Sequence, residues 1–174
     1  MALLIDDRGV ILACSSCGQR NRVPFGRDGK CAKCGAAIPA PDQPLDVPTS
    51  AAFDALVRDA RLPVIVDFWA PWCGPCRMVA PEIARVAASH AGRWLVAKVN
   101  TEALPDVAGR FRIQSIPTMA IFTQGKEAAR TTGARPAADI EDFVNSVIGV
   151  RPGSDRGQTP AGSISRPIPR RYVH

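Results

Sequence analysis

Apolar residues recur at two different periods along this chain, and each change of period marks an element. Phe53, Leu56, Val57 and Ala60 follow helical spacing, and Pro63 to Ala70 (PVIVDFWA) is a short β-branched run bounded by prolines. The pattern predicts a helix followed by a buried strand. A long helix is expected from Pro75 to Ser89, kinked by Pro81, and then a strand over Trp94 to Asn100 whose composition (WLVAKVN) suits a sheet interior. After a short helical stretch from Leu104 to Phe111 come two β-like runs, Thr118 to Thr123 and Glu127 to Thr132, and Gln124-Gly125-Lys126 between them is a hairpin signal. Finally Ile140, Phe143, Val144, Val147 and Ile148 share one helical face that ends at Gly149, with Pro152 beyond. The order helix, strand, helix, strand, helix, hairpin, helix implies an α/β fold, a layered sheet covered by helices on both faces.

The rest of the chain reads differently. Residues 1–35 carry four cysteines, residues 36–48 (AAIPAPDQPLDVP) form a Pro-rich stretch expected to be a linker, and residues 49–150 hold the periodic elements. The net charge of +6 looks like a nucleic-acid signature until it is divided along the chain. Residues 1–48 hold six basic and five acidic side chains, residues 49–150 eleven and ten, and residues 151–174 five Arg against one Asp. The basicity therefore sits in a Pro/Gly/Ser/Arg tail, expected to be disordered because it has few large apolar groups to offset the entropy of ordering. Nucleic acid is accordingly not an expected partner. No apolar run approaches the roughly 20 residues of a membrane span, and Asp6 and Asp7 stand where a signal peptide needs a basic then apolar run, so a cytoplasmic protein is expected.

Every cysteine has a partner three positions away: Cys14 and Cys17, Cys31 and Cys34, Cys73 and Cys76. The first four form C-x2-C-x13-C-x2-C, with a glycine directly after each second cysteine. This is zinc-ribbon spacing, and four sulfur ligands close a tetrahedral site with no open position, so a structural Zn2+ is expected. A disulfide framework is the competing reading, and it fits poorly with a cytoplasmic chain that has a well-stocked core. The third pair, in Trp72-Cys73-Gly74-Pro75-Cys76, falls where the predicted strand meets the long helix. Cys73 is expected at the helix N-terminus, where unpaired N–H groups and the macrodipole favour a thiolate, with Cys76 as the buried resolving thiol one turn inside. Pro75 suits a first helical turn. Reading the pair as half of a metal site would need two more ligands, and only the poorly placed His90 and His174 are spare.

Val66 to Cys76 (VDFWAPWCGPC) resembles the active-site strand and turn of the thioredoxin family. The resemblance continues at Pro81, at Ala97-Lys98-Val99-Asn100, at the Ile116-Pro117-Thr118 loop, and at Gly125 and Gly133, and it covers about residues 49–150. With four cysteines ahead of it, the chain is most similar to the thioredoxin 2 subfamily, in which a zinc module precedes a thioredoxin domain. The tail after Gly149 departs from that pattern. The resemblance implies a thioredoxin fold, a central mixed sheet with helices on both faces.

It also implies protein-disulfide reduction by thiol-disulfide exchange, Cys73 attacking and Cys76 resolving. Asp67, in the middle of an apolar strand, is then expected to have a raised pKa and to accept the Cys76 proton, with Lys98 as its electrostatic partner. The resemblance makes Pro117 cis, presenting Ile116 to an extended substrate, and gathers Trp72, Gly74, Pro75, Ile116, Gly133 and Ala134 into an apolar docking patch. Disulfide-containing proteins are the implied substrates and an NADPH-dependent thioredoxin reductase the implied donor. The chain has no G-x-G-x-x-G fingerprint, so no flavin or nicotinamide is expected on it. The rival reading is a zinc-ribbon redox sensor or binding protein that uses the same fold as a scaffold.

Overall fold

The structure, a computed structural model, describes residues 3–149; the basic segment 151–174 lies outside the described residues. In chain order the elements are β1 (Leu3–Asp6), β2 (Gly9–Ala13), β3 (Arg20–Val23), β4 (Gly29–Lys30), β5 (Ala37–Ile38), β6 (Leu45–Asp46), α1 (Ser50–Asp59), β7 (Val64–Trp69), α2 (Gly74–Ser89), β8 (Leu95–Asn100), α3 (Pro105–Arg110), β9 (Thr118–Thr123), β10 (Lys126–Thr132) and α4 (Ala137–Ile148). Every helix and strand expected between Phe53 and Gly149 is present, within a few residues at each boundary.

Local chemistry explains the main elements. Thr49 caps α1 by accepting the Ala52 N–H on Oγ1 at 3.1 Å, and the helix buries Phe53, Leu56 and Val57. β7 and β8 pair in parallel from Val64↔Leu95 to Trp69↔Asn100, a pairing that needs a crossover, and α2 supplies it. Pro81 sits inside α2. Gln124 (φ 52°) and Gly125 (φ 78°) turn β9 into β10, which is the two-residue hairpin turn whose twist matches the strands. α4 ends on Gly149 in the left-handed conformation.

One sheet runs in the order β10-β9-β7-β8-β6-β1-β2-β3, with β4 and β5 pairing separately. It is mixed: β1, β6, β8 and β7 are parallel neighbours, while β9 and β10 run antiparallel. On one face Phe53, Leu56 and Val107, from α1 and α3, meet Val66, Phe68 and Phe122. On the other, Val79, Ile83, Ile140 and Val144, from α2 and α4, meet Ile65, Val96, Met119 and Ile121.

The N-terminal strands were not visible as periodic runs, and they join the same sheet. The first half of β1 pairs with β6 (Leu3↔Leu45, Leu4↔Asp46), and its second half pairs with β2 (Ile5↔Val10). Residues 36–48, expected as a linker, carry β5 and β6, and Leu45 is fully buried in the central sheet. Gly9 makes the crossing of β1, β2 and β3 close enough, since a Cβ there would lie 2.3 Å from the Val23 carbonyl oxygen.

Candidate active site and metal centre

The β7 to α2 junction sets the redox pair. Cys73 is the N-cap of α2, and its Sγ accepts the Cys76 N–H at 3.2 Å. Cys73 and Cys76 form a disulfide, and both residues are buried against Ala70, Trp69 and Ile116. Cys73 is thus as buried as Cys76, whereas the sequence had set only Cys76 inside. Gly74 and Pro75 open the helix on its exposed side, and Trp72 beside them stands 66% exposed, its Nε1–H donating to Glu102 Oε1 at 2.8 Å.

The Ile116-Pro117 peptide is cis, and the loop is tied on both sides. Thr118 Oγ1 donates to the Ser115 carbonyl at 2.7 Å, and the Gly133 N–H donates to the Pro117 carbonyl at 2.9 Å. A groove of about 280 Å³ next to the pair is lined by Trp72, Thr101, Ile113, Gln114, Ser115 and Ile116. Of the six residues expected in the docking patch, Trp72 and Ile116 line this groove. Gly74, Pro75 and Ala134 are exposed and do not line it, and Gly133 supports the loop through its backbone. Thr101, Ile113, Gln114 and Ser115 escaped sequence reasoning because they sit on loops that have no period.

Asp67 lies at the centre of β7, between Lys98 of β8 and Met119 of β9, and is 1% exposed. Burial pushes its carboxyl up from 3.8 to about 7, with the Lys98 charge opposing, and Oδ1 has no hydrogen-bond partner among the described residues. Lys98 faces Asp67 in register, as expected, yet its Nζ sits 4.4 Å over the Trp69 ring.

The raised pKa fixes the sign of a stability effect. The folded protein holds on to a proton that the unfolded chain has released. The stability carried by protonated Asp67 is complete below about pH 4 and lost as pH rises through about 7. Asp67→Asn is therefore expected to stabilise the chain at pH 8 by on the order of 4 kcal/mol, with the difference vanishing below about pH 4. Denaturant midpoints at the two pH values check this, and equal midpoints at pH 8 would contradict it.

The four remaining cysteines converge. Their sulfurs all lie within 4.8 Å of one another, with Cys14 to Cys34 and Cys17 to Cys31 at 3.6 Å. A tetrahedral ZnS4 centre with bonds of about 2.3 Å needs sulfurs about 3.8 Å apart, so the donor set fits that metal. The two knuckles are built alike: Gly18 N–H donates to Cys14 O at 2.8 Å and Gly35 N–H to Cys31 O at 2.9 Å. The N–H groups of Cys34 and Lys33 hold the Cys31 thiol down at about 6, and those of Ser16 and Cys17 lower Cys14. At Cys17 the Gln19 N–H pulls downward too, but burial and the neighbouring sulfurs outweigh it and push the thiol up to about 12. So dense a set of sulfurs ionises together only around a cation. Asn21 joins the knuckles, donating to the Gln19 carbonyl at 2.7 Å and accepting the Ala32 N–H at 3.0 Å. Cysteine spacing alone gave no sign of that role. Among the described residues no helix is long and apolar enough to cross a membrane.

Known proteins match the span that carries the cysteine pair. Thioredoxin 1 of Chlorobaculum tepidum is 46% identical over 96 residues, 55% of this chain and 95% of its own. Thioredoxin C-3 of Corynebacterium nephridii is 34% identical over 142 residues, 80% of this chain and 96% of its own. A match that long exceeds the stretch from residue 45 to the end, so it begins ahead of residue 45. Among solved structures, the N21Q mutant thioredoxin from Halobacterium salinarum NRC-1 superposes with a TM-score of 0.58 at 27% identity, over 63% of this chain and 95% of its own. The thioredoxin family model matches residues 45–146, the span from β6 into α4 that holds the Cys73–Cys76 disulfide, and the chain belongs to the thioredoxin family of disulfide oxidoreductases.

Proposed function

We propose that this protein is a cytoplasmic protein-disulfide reductase working through Cys73 and Cys76, re-reduced by an NADPH-dependent thioredoxin reductase and holding one structural zinc ion on Cys14, Cys17, Cys31 and Cys34. The observation that carries the reading is a disulfide-forming cysteine pair at the N-terminus of α2, with an N–H already directed at Cys73 Sγ, beside a groove lined by Trp72 and Ile116.

In the reduced protein the Cys73 thiolate attacks one sulfur of a substrate disulfide. A bond to Cys73 forms as the substrate S–S bond breaks, and the departing thiolate takes a proton from solvent. Asp67 accepts the proton of Cys76, through a water, and the Cys76 thiolate attacks Cys73 Sγ. The mixed disulfide breaks, the second substrate sulfur leaves, and the pair is left oxidised. That second sulfur takes the proton passed on by Asp67, so the substrate has gained two electrons and two protons; NADPH returns two electrons and one proton to the pair through the reductase, and solvent supplies the other proton. Lys98 sets the charge beside Asp67. Ile116 and Pro117 present backbone to the substrate strand, and Trp72, Gly74, Pro75, Gly133 and Ala134 give it an apolar bed. The Gly74-Pro75 dipeptide resembles that of reducing family members, which favours this direction. Zinc, once bound, supplies folding energy to the N-terminal module and no catalytic step.

The test is NADPH oxidation with a thioredoxin reductase and insulin disulfides as substrate. The expected result is turnover that needs all three components and is abolished when the reduced chain is first alkylated at Cys73. An inert chain whose Cys73–Cys76 pair is nonetheless reducible would overturn the proposal in favour of the scaffold reading.

A further inference from the structure

The pairing registers place four side chains in one row across the sheet: Asp46 of β6, Lys98 of β8, Asp67 of β7 and Met119 of β9. Register partners on adjacent strands point to the same face, and alternation along each strand settles which one. Leu45 and Val47 pack on the α1 side, so Asp46 faces the α2 side; Val96, Ile65 and Met119 pack on the α2 side, which puts Lys98 and Asp67 there with it. The row grades from water to core: Asp46 and Lys98 are half-buried, and Asp67 is sealed. Lys98 thus stands between two carboxylates, about 4.8 Å of strand spacing from each backbone. Among the described residues it closes an ion pair with neither, and its ammonium rests over Trp69.

We propose that Asp46 is a positioning residue for the disulfide-exchange site: sharing the charge of Lys98, it keeps the ammonium from neutralising Asp67 and so leaves the Asp67 carboxyl a competent proton acceptor. The proposal rests on the reading of Asp67 as the group that takes the Cys76 proton. Other charge around Asp67 is scarce, which is what makes one more carboxylate matter. β9 offers Met119, α4 offers Ile140 and Val144, and α2 offers Val79 and Ile83 together with the cysteine pair itself. Only Lys98 and, behind it, Asp46 carry fixed charge along this row. The raised Asp67 pKa, with Lys98 pulling it down, agrees with an ammonium whose effect is incomplete.

The sign follows from Coulomb's law. Removing the Asp46 charge frees Lys98 to favour ionised Asp67 and removes a direct repulsion of the same sign, which is weaker because it acts over about 10 Å, twice the spacing of Lys98 from either carboxylate strand. The experiment is an NMR titration of the Asp67 carboxyl carbon in the full, zinc-loaded chain, with the disulfide reduced and oxidised. Asp46→Asn is expected to lower the Asp67 midpoint by about half a pH unit, most of it through the Lys98 ammonium that the loss of Asp46 sets free. Asp46→Glu should restore the wild-type value. In a Lys98→Met background the Asn substitution should lose most of its effect. An unmoved midpoint in Asp46→Asn, or an equal shift with and without Lys98, overturns the proposal. The underlying reading fails separately: there, Asp67→Asn would leave the pH profile of coupled insulin reduction unchanged, whatever Asp46 does to the titration.

Discussion

Cys73→Ser and Cys76→Ser are expected to fail in opposite ways, each with turnover of insulin disulfides at least about 1000-fold below wild type. Cys73 is the N-cap of α2 and receives the Cys76 N–H on its sulfur, so its thiolate is stabilised by the helix end. Serine there keeps the cap and the fold but is far too weak a nucleophile to open a disulfide, and no covalent species should accumulate. In Cys76→Ser the nucleophile is intact and the first attack proceeds. The resolving sulfur is gone, so the chain should stop as a one-to-one mixed disulfide through Cys73. Mass spectrometry of each variant incubated with a disulfide peptide separates the cases: an adduct of one peptide on Cys76→Ser, released by dithiothreitol, and none on Cys73→Ser. An adduct on Cys73→Ser instead would make Cys76 the attacking thiol. The two residues are equally buried in the oxidised protein, so burial alone does not select the attacking sulfur.

The parts of this site that were legible in the sequence share a physical cause. Asp67 could be read because a charged residue in an otherwise apolar β-branched run has few explanations, and the strand buries it as that pattern demands. The cysteine pair could be read because strand, turn and helix signals meet at Trp72 to Cys76. β6 could not. A two-residue strand is too short to show a period, and Leu45 and Asp46 are strand only because β8 on one side and β1 on the other hold them there. The same holds for the groove: Thr101 and Ile113 to Ser115 come together only when the loops after β8 and α3 meet beside Trp72. What the composition reported as a Pro-rich spacer is the seam between the cysteine module and the sheet.

That seam makes metal removal the second large effect. The module adds few apolar side chains, mainly Ile5, Val10, Leu12, Val23, Phe25 and Ile38 around buried Cys14 and Cys31, at the edge of the α1-side core, too little to hold its short strands without a cross-link. Four sulfurs within 4.8 Å supply that cross-link once a metal binds them, and structural zinc contributes on the order of 10 kcal/mol to the folding of such modules at neutral pH. Stripping zinc with a thiol-reactive mercurial and a chelator, or replacing Cys31 and Cys34 by serine, is expected to raise amide hydrogen exchange of β2 and β3 by at least about 1000-fold. Protection in β7, β8 and β9 should persist, because the helices that cover both faces of these strands, with Phe53 and Phe68 on one side and Ile83 and Ile121 on the other, stay in place when the module opens. β6 should be intermediate, since it loses β1 on one side and keeps β8 on the other. Full protection of β2 and β3 in a chain shown to be metal-free would mean that the cysteine cluster does not hold the module together, and the fit of its sulfurs to a zinc tetrahedron would need another explanation.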